Sequence, residues 1–340
     1  MNDLWPTIWF ILVGVLFGGY AILDGFDLGV GALHLFVKND KDRRVFLNSI
    51  GPIWDGNEVW LVTGGGALFA AFPEVYATVF SGFYLAFMLL LVALIFRAVA
   101  IEFRSKQPMK WWRDLWDASF SVSSIVSSLL VGIAMGNIAF GIPLSADHEY
   151  AGTFLRLLTP YPLLVGVTTL ALFTMHGSIY IVLKTEGPLQ VRLKKWVKNT
   201  MIFFILCYAV TTLATLLFVP HMLTTLRQYP VLFIVPLLSV LSIANIPRNV
   251  SLGHGFGAFL SSCAALASLM ALFGIGMYPA LVYSDPHPEF SLTIVNAASS
   301  VKTLKIMTVI AAIGMPLVLS YTASIYWIFR GKVKLDAHSY

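Results

Sequence analysis

Charged side chains are scarce in this sequence. Asp, Glu, Lys and Arg make up 11% of the 340 residues, whereas soluble globular chains carry about 25%. So few charged groups cannot cover the surface of a soluble protein of this length. The composition therefore excludes a soluble cytosolic enzyme and a nucleic-acid-binding protein.

Cysteine is also nearly absent. Cys207 and Cys263 are the only two, and they form neither a CxxC pair nor a CxxCH motif. A disulfide-stapled secreted domain, a cysteine metal site and a covalently attached haem are excluded by this pattern.

Long apolar segments make up most of the chain. Hydrophobic residues reach 58%, and the mean hydropathy is +0.81. A membrane-spanning helix needs about 20 apolar residues, and nine segments meet this need, although the second is polar and the seventh is short. We predict an all-α polytopic membrane protein with nine transmembrane helices over Thr7–Leu33, Ile50–Phe72, Val75–Ala100, Asp117–Phe140, Pro160–Leu183, Thr200–Val219, Pro230–Ile246, Phe256–Ala280 and Leu304–Phe329.

Basic residues are concentrated on one side of this predicted arrangement. When Lys and Arg are sorted by the loops between the nine segments, 18 fall on one side and 4 on the other. Because cytoplasmic loops carry the excess of basic residues, we predict an outside N-terminus and a cytoplasmic C-terminus. The same bias predicts that the polar second segment crosses the membrane.

A weak internal repeat divides the predicted helices into two groups. Leu12–Val15 recurs as Leu164–Val167, and both segments run in the same direction across the membrane. Parallel repeats of this kind build several membrane protein folds, although coincidence among apolar segments is an alternative explanation. We predict one membrane domain with a four-helix unit over 1–140, a second over 158–280, a peripheral ninth helix over 300–330 and a cytoplasmic tail over 331–340.

Four carboxylic acids lie inside the first two predicted helices. Asp24 and Asp27 are three residues apart, as are Asp55 and Glu58, so each pair shares one helix face. Both pairs fall in the cytoplasmic half of their helices. Four neighbouring carboxylates in a membrane cannot all stay ionised. We predict a proton path through these acids, in which Asp55 is ionised and Asp24 or Asp27 carries the mobile proton.

Four other side chains are predicted to support this path, namely Trp54, Asn57, Arg97 and His176. A purely structural role for the acids is the alternative, in which they cap helix ends or pair with Arg97 and Arg104. For His176 three roles are open: a haem ligand, a proton relay or a hydrogen-bonded core residue. No second mid-membrane histidine faces it as a haem ligand pair requires, so we expect no bis-histidine haem in this chain. We also expect no resident cofactor, no metal ligand and no catalytic residue here, and the sequence assigns no cofactor-binding residues.

Several long motifs resemble one known family. The segments Gly18–Gly31 and Asn48–Leu61 resemble the first-helix and second-helix signatures of subunit II of cytochrome bd-type quinol oxidases. Further similarity occurs at Gly64–Pro73, Phe80–Tyr84, Phe96–Arg97, Glu102–Arg104 and Trp112–Asp117. The motifs cover the first third of the chain, and the remainder agrees with the family in length and helix count.

This resemblance implies a subunit of a respiratory enzyme in the cytoplasmic (inner) membrane of a prokaryote. The family oxidises quinol and reduces dioxygen to water, taking its protons from the cytoplasm. It implies a haem-bearing partner, subunit I, that holds haem b and haem d (or a further haem b) and the quinol site, and often a small single-helix subunit. A structural quinone binds subunit II in some members.

The family's helix 1 acids and helix 2 Trp-Asp pair correspond to Asp24, Asp27, Trp54 and Asp55, whereas Glu58 stands where some relatives have Gln. Two other functions fit the same residues. A proton-coupled secondary transporter would also carry an acidic cluster and a repeat, but it would need a substrate site near the membrane midplane. A structural assembly subunit would use the acids only to pair with arginines.

Overall fold

The computed structural model describes residues 4–335. Within them the chain forms twelve α-helices: α1 (Leu4–His34), α2 (Asp40–Ile50), α3 (Trp54–Ala71), α4 (Pro73–Gly82), α5 (Tyr84–Phe103), α6 (Lys110–Phe140), α7 (Pro160–Lys184), α8 (Gly187–Phe218), α9 (Thr224–Gln228), α10 (Ile234–Ser251), α11 (Gly255–Met277) and α12 (Val301–Ile328). A small antiparallel sheet, which the sequence did not predict, pairs β1 (Ala280–Val282) with β2 (Leu292–Thr293).

Eight helical segments of the described chain are long and apolar enough to cross a membrane. They are α1, α5, α6, α7, α8, α11, α12 and the segment Pro230–Ser251 that contains α10. The predicted class, an α-helical membrane protein, is confirmed. Helix α3 is long enough but is not among the eight, because Asp55, Asn57 and Glu58, three of its first five residues, make it too polar.

Helix α3 nevertheless reaches from one end of the helix bundle to the other. Just before it begins, the Ser49 carbonyl accepts a hydrogen bond from the Tyr180 hydroxyl near the end of α7 (2.9 Å). Where it ends, the Ala71 carbonyl accepts one from the Ser299 amide just before α12 (2.8 Å). We call the first of these ends the basic end, because Lys184, Arg192 and Lys332 lie there.

The helix boundaries differ from the sequence prediction most at four places. Helix α2 lies between the first two predicted segments, where no helix is predicted. Asn39 caps it by accepting from the Lys41 amide (3.0 Å), and Asp40 and Asp42 occupy its first turn. Helices α6 and α8 begin 7 and 13 residues earlier than predicted, because charged residues interrupt the apolar run in their first turns although the backbone is already helical. The predicted single helix Val75–Ala100 is broken at Phe83 into α4 and α5, after a glycine of low helix propensity.

Helices α1 and α7 cross at the centre of the bundle with their backbones in contact. A Cβ atom on Gly177 would lie 2.5 Å from the carbonyl carbon of Gly29 and 2.5 Å from the Val30 nitrogen, and one on Gly29 would overlap the Phe173 carbonyl oxygen. Glycine at both positions is what allows this approach, as at other close helix crossings in membranes. The crossing brings the acidic half of α1 against the half of α7 that carries His176.

Replacing Gly177 by Ala is expected to lower the free energy of unfolding of the assembled protein by about 1–3 kcal/mol, because rigid backbone would have to move. The measurement is the thermal midpoint of the purified protein. Gly14→Ala is the matched control, since a Cβ there meets nothing within 4 Å. Equal midpoints for the two variants would show that the crossing tolerates a wider separation.

Helix α12 lies at the edge of the bundle. Leu304 is its one buried residue, and Trp9 of α1 holds that end by donating from Nε1 to the Leu304 carbonyl (3.0 Å). At the basic end the following segment returns to α7, where Lys332 donates to the Leu183 carbonyl (2.8 Å). Both ends of the α12 segment are therefore bonded to the bundle, while the apolar side chains in the middle of α12 are largely exposed.

Candidate functional site

A buried ion pair joins α1 to α5. Arg97 donates from Nη1 and Nη2 to the two carboxylate oxygens of Asp24, at 2.9 and 2.6 Å. The Arg97 side chain is 1% exposed and that of Asp24 is 0% exposed. This bidentate geometry is the strongest arrangement for such a pair, so the charge of Asp24 is matched by Arg97.

Glu58 of α3 is a second carboxylate partner of Arg97. Its Oε2 atom accepts a hydrogen bond from Arg97 Nη2 at 3.2 Å, and its side chain is 21% exposed. Glu58 is thus the member of the group that reaches the accessible surface of the described chain.

Asp27 lies one turn further along α1 and has a neutral partner. Its Oδ2 atom accepts from the Asn57 amide (2.7 Å), and its Oδ1 atom has no hydrogen-bond partner. The Asn57 carbonyl oxygen in turn accepts from the Tyr326 hydroxyl of α12 (2.9 Å). That second bond fixes the Asn57 side chain with its amide toward Asp27.

The structure brings three of the four predicted acids together, and Asp55 lies apart from them. Asp55 occupies the first turn of α3, where the helix dipole favours its anion, and its side chain is exposed. Trp54 is half-buried and packs against the core around α1 and α7. Asp55 and Glu58 are three residues apart on α3, so they are neighbours on its surface. Asp55 is exposed, and Glu58 contacts the buried Arg97.

His176 is fully buried and both of its ring nitrogens are engaged. Nδ1 lies 2.7 Å from the Ser262 hydroxyl, and Nε2 donates to the Ile22 carbonyl at 3.0 Å. Its ring also stacks on Phe259 at 5.1 Å. No ring nitrogen is left to ligate iron, so the geometry favours the hydrogen-bonded core role over the haem-ligand role.

A second buried charge cluster lies at the basic end and centres on Asp117. Its carboxylate accepts from Arg104 Nε (2.6 Å) and Arg43 Nη1 (2.8 Å), and lies 2.5 Å from His34 Nε2. Asp40 bridges Arg104 and Arg113 at 2.7 and 3.2 Å. The cluster ties together the ends of α1 and α5 and the starts of α2 and α6. Arg104 therefore pairs with Asp117 and Asp40 and with none of the four predicted acids.

Several buried polar atoms near Asp24 have no hydrogen-bond partner. They are Tyr20 Oη, Asp27 Oδ1 and Arg97 Nε. Buried polar atoms are nearly always hydrogen-bonded to protein or to water.

Within the described residues, no group of three or more His, Cys, Asp or Glu side chains is arranged to hold a metal ion.

Sequence reasoning did not include Tyr20 and Tyr326 in the site. Tyr326 of α12 lies 269 positions from its partner Asn57 of α3, and no spacing rule relates these two helices. The one available signal was a polar hydroxyl in an otherwise apolar span, and that signal is common in membrane helices.

Comparison with known proteins identifies the family. The family model described as cytochrome bd terminal oxidase subunit II matches residues 5–329. Cytochrome bd-I ubiquinol oxidase subunit 2 of Escherichia coli (strain K12) is 36% identical, with 96% of this chain and 94% of the relative covered. Cytochrome bd ubiquinol oxidase subunit 2 of Bacillus subtilis (strain 168) is also 36% identical, with 96% of each covered.

A solved structure shares the fold. A chain of the bd oxidase from Geobacillus thermodenitrificans superposes with a TM-score of 0.79 at 15% sequence identity, over 96% of this chain and 98% of that chain. The family assignment rests on the sequence matches over nearly the whole length, and the resemblance found in the motifs is confirmed. This chain belongs to the cytochrome bd terminal oxidase subunit II family and is a multi-pass subunit of a bd-type quinol oxidase in a bacterial cytoplasmic membrane.

Proposed function

We propose that this chain is the haem-free subunit of its oxidase and lines a proton path from the cytoplasm. In this proposal subunit I holds haem b, haem d (or a further haem b) and the quinol-oxidation site, and a small single-helix subunit and a structural quinone accompany them. The two relatives are named ubiquinol oxidases, and we extend to this chain the oxidation of a quinol. Family membership favours this function over a proton-coupled transporter.

The proposed topology has nine spans, an outside N-terminus and a cytoplasmic basic end. The contacts of α3 at both ends of the bundle support a crossing by this polar helix. A crossing by α3 keeps the basic loops on one side, in agreement with the distribution of 18 and 4 basic residues. The parallel repeat of two four-helix units remains part of the proposal, with α12 outside both units.

The position of Glu58 is the observation that carries the proton path. Its carboxylate touches Arg97 inside the protein while part of its side chain reaches the surface. A proton taken up at the surface can therefore be passed from Glu58 to the buried carboxyl groups.

Charge balance makes Asp27 the carrier of the mobile proton. The cluster has three carboxyl groups and one guanidinium, and Arg97 bonds Asp24 and Glu58 but not Asp27. An ionised Asp27 would be a buried charge facing only a neutral amide, which is strongly unfavourable. The unpartnered atoms of Tyr20, Asp27 and Arg97 are groups that bind water, and such water can conduct protons between Glu58 and Asp27.

Asp55 has a different place in the proposed path. It lies on a face of α3 where Val59 and Val62 are 51% and 72% exposed. An exposed apolar helix face beside a carboxylate fits contact with another subunit. We place Asp55 at the boundary with subunit I, where it would exchange protons between that subunit and Glu58.

Replacing Glu58 by Gln tests the path in the intact oxidase. We expect quinol-driven oxygen consumption to fall roughly tenfold or more, the usual cost of losing a proton-transfer group, while haem absorbance per complex stays unchanged. Glu74→Gln is the matched control, because Glu74 is an exposed carboxylate, 56% accessible, at the opposite end. Full turnover in Glu58→Gln would refute the entry role of this residue.

A further inference from the structure

A cleft between α10 and α11 lies outside the acidic site. It has a volume of about 720 Å³. One wall is a stripe of α10 that contains Leu238, Leu241, Asn245 and Arg248, and the other is a stripe of α11 that contains Leu260 and Ser261. The α10 residues recur every three or four positions, as do Gly257, Ser261 and Ala264 of α11, so each set lies on one helix face and the two faces line the cleft.

The cleft is polar at one end and apolar at the other. Arg248, Asn245 and Asn249 lie toward the basic end, whereas Leu238, Leu241 and Ala264 lie deeper. From Leu238 to Arg248 a helix rises about 15 Å, which is half of the roughly 30 Å hydrocarbon core. This is the depth that one acyl chain occupies below its headgroup.

The polar end is held in place by hydrogen bonds between the helices. Asn245 donates to the Ser261 hydroxyl at 2.9 Å, Asn249 donates to it at 3.3 Å, and Ser261 donates to the Gly257 carbonyl at 2.8 Å. These bonds satisfy the amide donors and fix the mouth of the cleft around Arg248.

The Arg248 guanidinium is the group of the cleft without a counterion. Among residues 4–335 no carboxylate forms an ion pair with it, and its side chain is exposed at the mouth of the cleft. A basic group between membrane helices near the headgroup region attracts anionic lipid. A neutral quinone would leave this charge unmatched, so charge complementarity favours a phosphate group.

We propose that the cleft is a binding site for one anionic phospholipid, with the phosphate at Arg248 and an acyl chain along Leu238, Leu241 and Leu260. The apolar walls contact the acyl chain, and Arg248 selects the charged headgroup. The site is independent of the proposed proton path, since none of its residues contacts the acidic cluster.

Native mass spectrometry of the intact oxidase tests the site with phosphatidylglycerol as the probe and phosphatidylcholine as the neutral comparison. We expect the wild-type complex to retain one phosphatidylglycerol in preference to phosphatidylcholine. Arg248→Gln should weaken that retention about fivefold. Lys195→Gln, which removes an exposed charge near the start of α8 at the same end, should leave it unchanged.

A second variant tests the apolar half of the cleft. Ala264→Phe keeps every charge but fills space between the helices, and it should also weaken retention of phosphatidylglycerol. Haem absorbance per complex shows that each variant is assembled. The proposal is overturned by equal retention in Arg248→Gln and wild type, by equal losses in Arg248→Gln and Lys195→Gln, or by a stoichiometric quinone that disappears in Arg248→Gln while the lipid stays.

Discussion

Replacing Arg97 by Gln is expected to destabilise the assembled oxidase by about 3–5 kcal/mol, the cost of removing one partner of a buried ion pair. The variant leaves the Asp24 carboxylate, which is 0% exposed, without its two hydrogen bonds. Glu58 loses its bond to the same guanidinium. The measurements are the yield of haem-containing complex and its thermal midpoint.

The double variant Asp24→Asn/Arg97→Gln separates charge from packing. With both charges removed, two neutral amides replace the pair, and we expect the thermal midpoint to recover most of the loss. Asp24→Asn alone should cost less than Arg97→Gln, because Arg97 keeps Glu58 as a partner. A wild-type midpoint for Arg97→Gln would show that the pair contributes nothing to assembly.

The helices were predictable wherever a long apolar run met the membrane. Eight of the nine predicted segments overlap the eight long apolar helical segments, because burying an apolar segment of this length in lipid requires a helix. The polar second segment overlaps α3. Boundaries were predicted poorly where helices extend into water, as in α8, whose first 13 residues include four basic side chains and lie before the predicted start. There the hydropathy signal ends although the backbone hydrogen bonding continues.

The candidate site was only partly predictable from the sequence. Helical spacing predicted that Asp24 and Asp27 share one face of their helix, and both are buried in the structure. Arg97, which the structural alternative named as a partner for the acids, pairs with Asp24. Spacing also put Asp55 beside them, but rotation of α3 about its axis turns that side chain outward. Which way a helix rotates depends on its neighbours, and contacts such as that between Asn57 and Tyr326 join residues that no local pattern relates.

Asp27→Asn should separate proton transfer from assembly. The substitution preserves shape, and the new amide oxygen can still accept from Asn57, so we expect haem content and thermal midpoint to match wild type. The lost group is the one carboxyl of the cluster that has no cationic partner. Quinol-driven oxygen consumption should therefore fall by roughly tenfold to a hundredfold.

Tyr326→Phe is the companion variant for this prediction. It removes the hydroxyl that fixes the Asn57 side chain, and so it disturbs the partner of Asp27 while leaving the carboxyl in place. We expect a smaller loss of turnover than in Asp27→Asn, because the proton-carrying group remains. If Asp27→Asn instead kept full turnover with normal haem content, the mobile proton would have to reside elsewhere, and Glu58 would pass protons to the partner through Asp55 without entering the buried cluster.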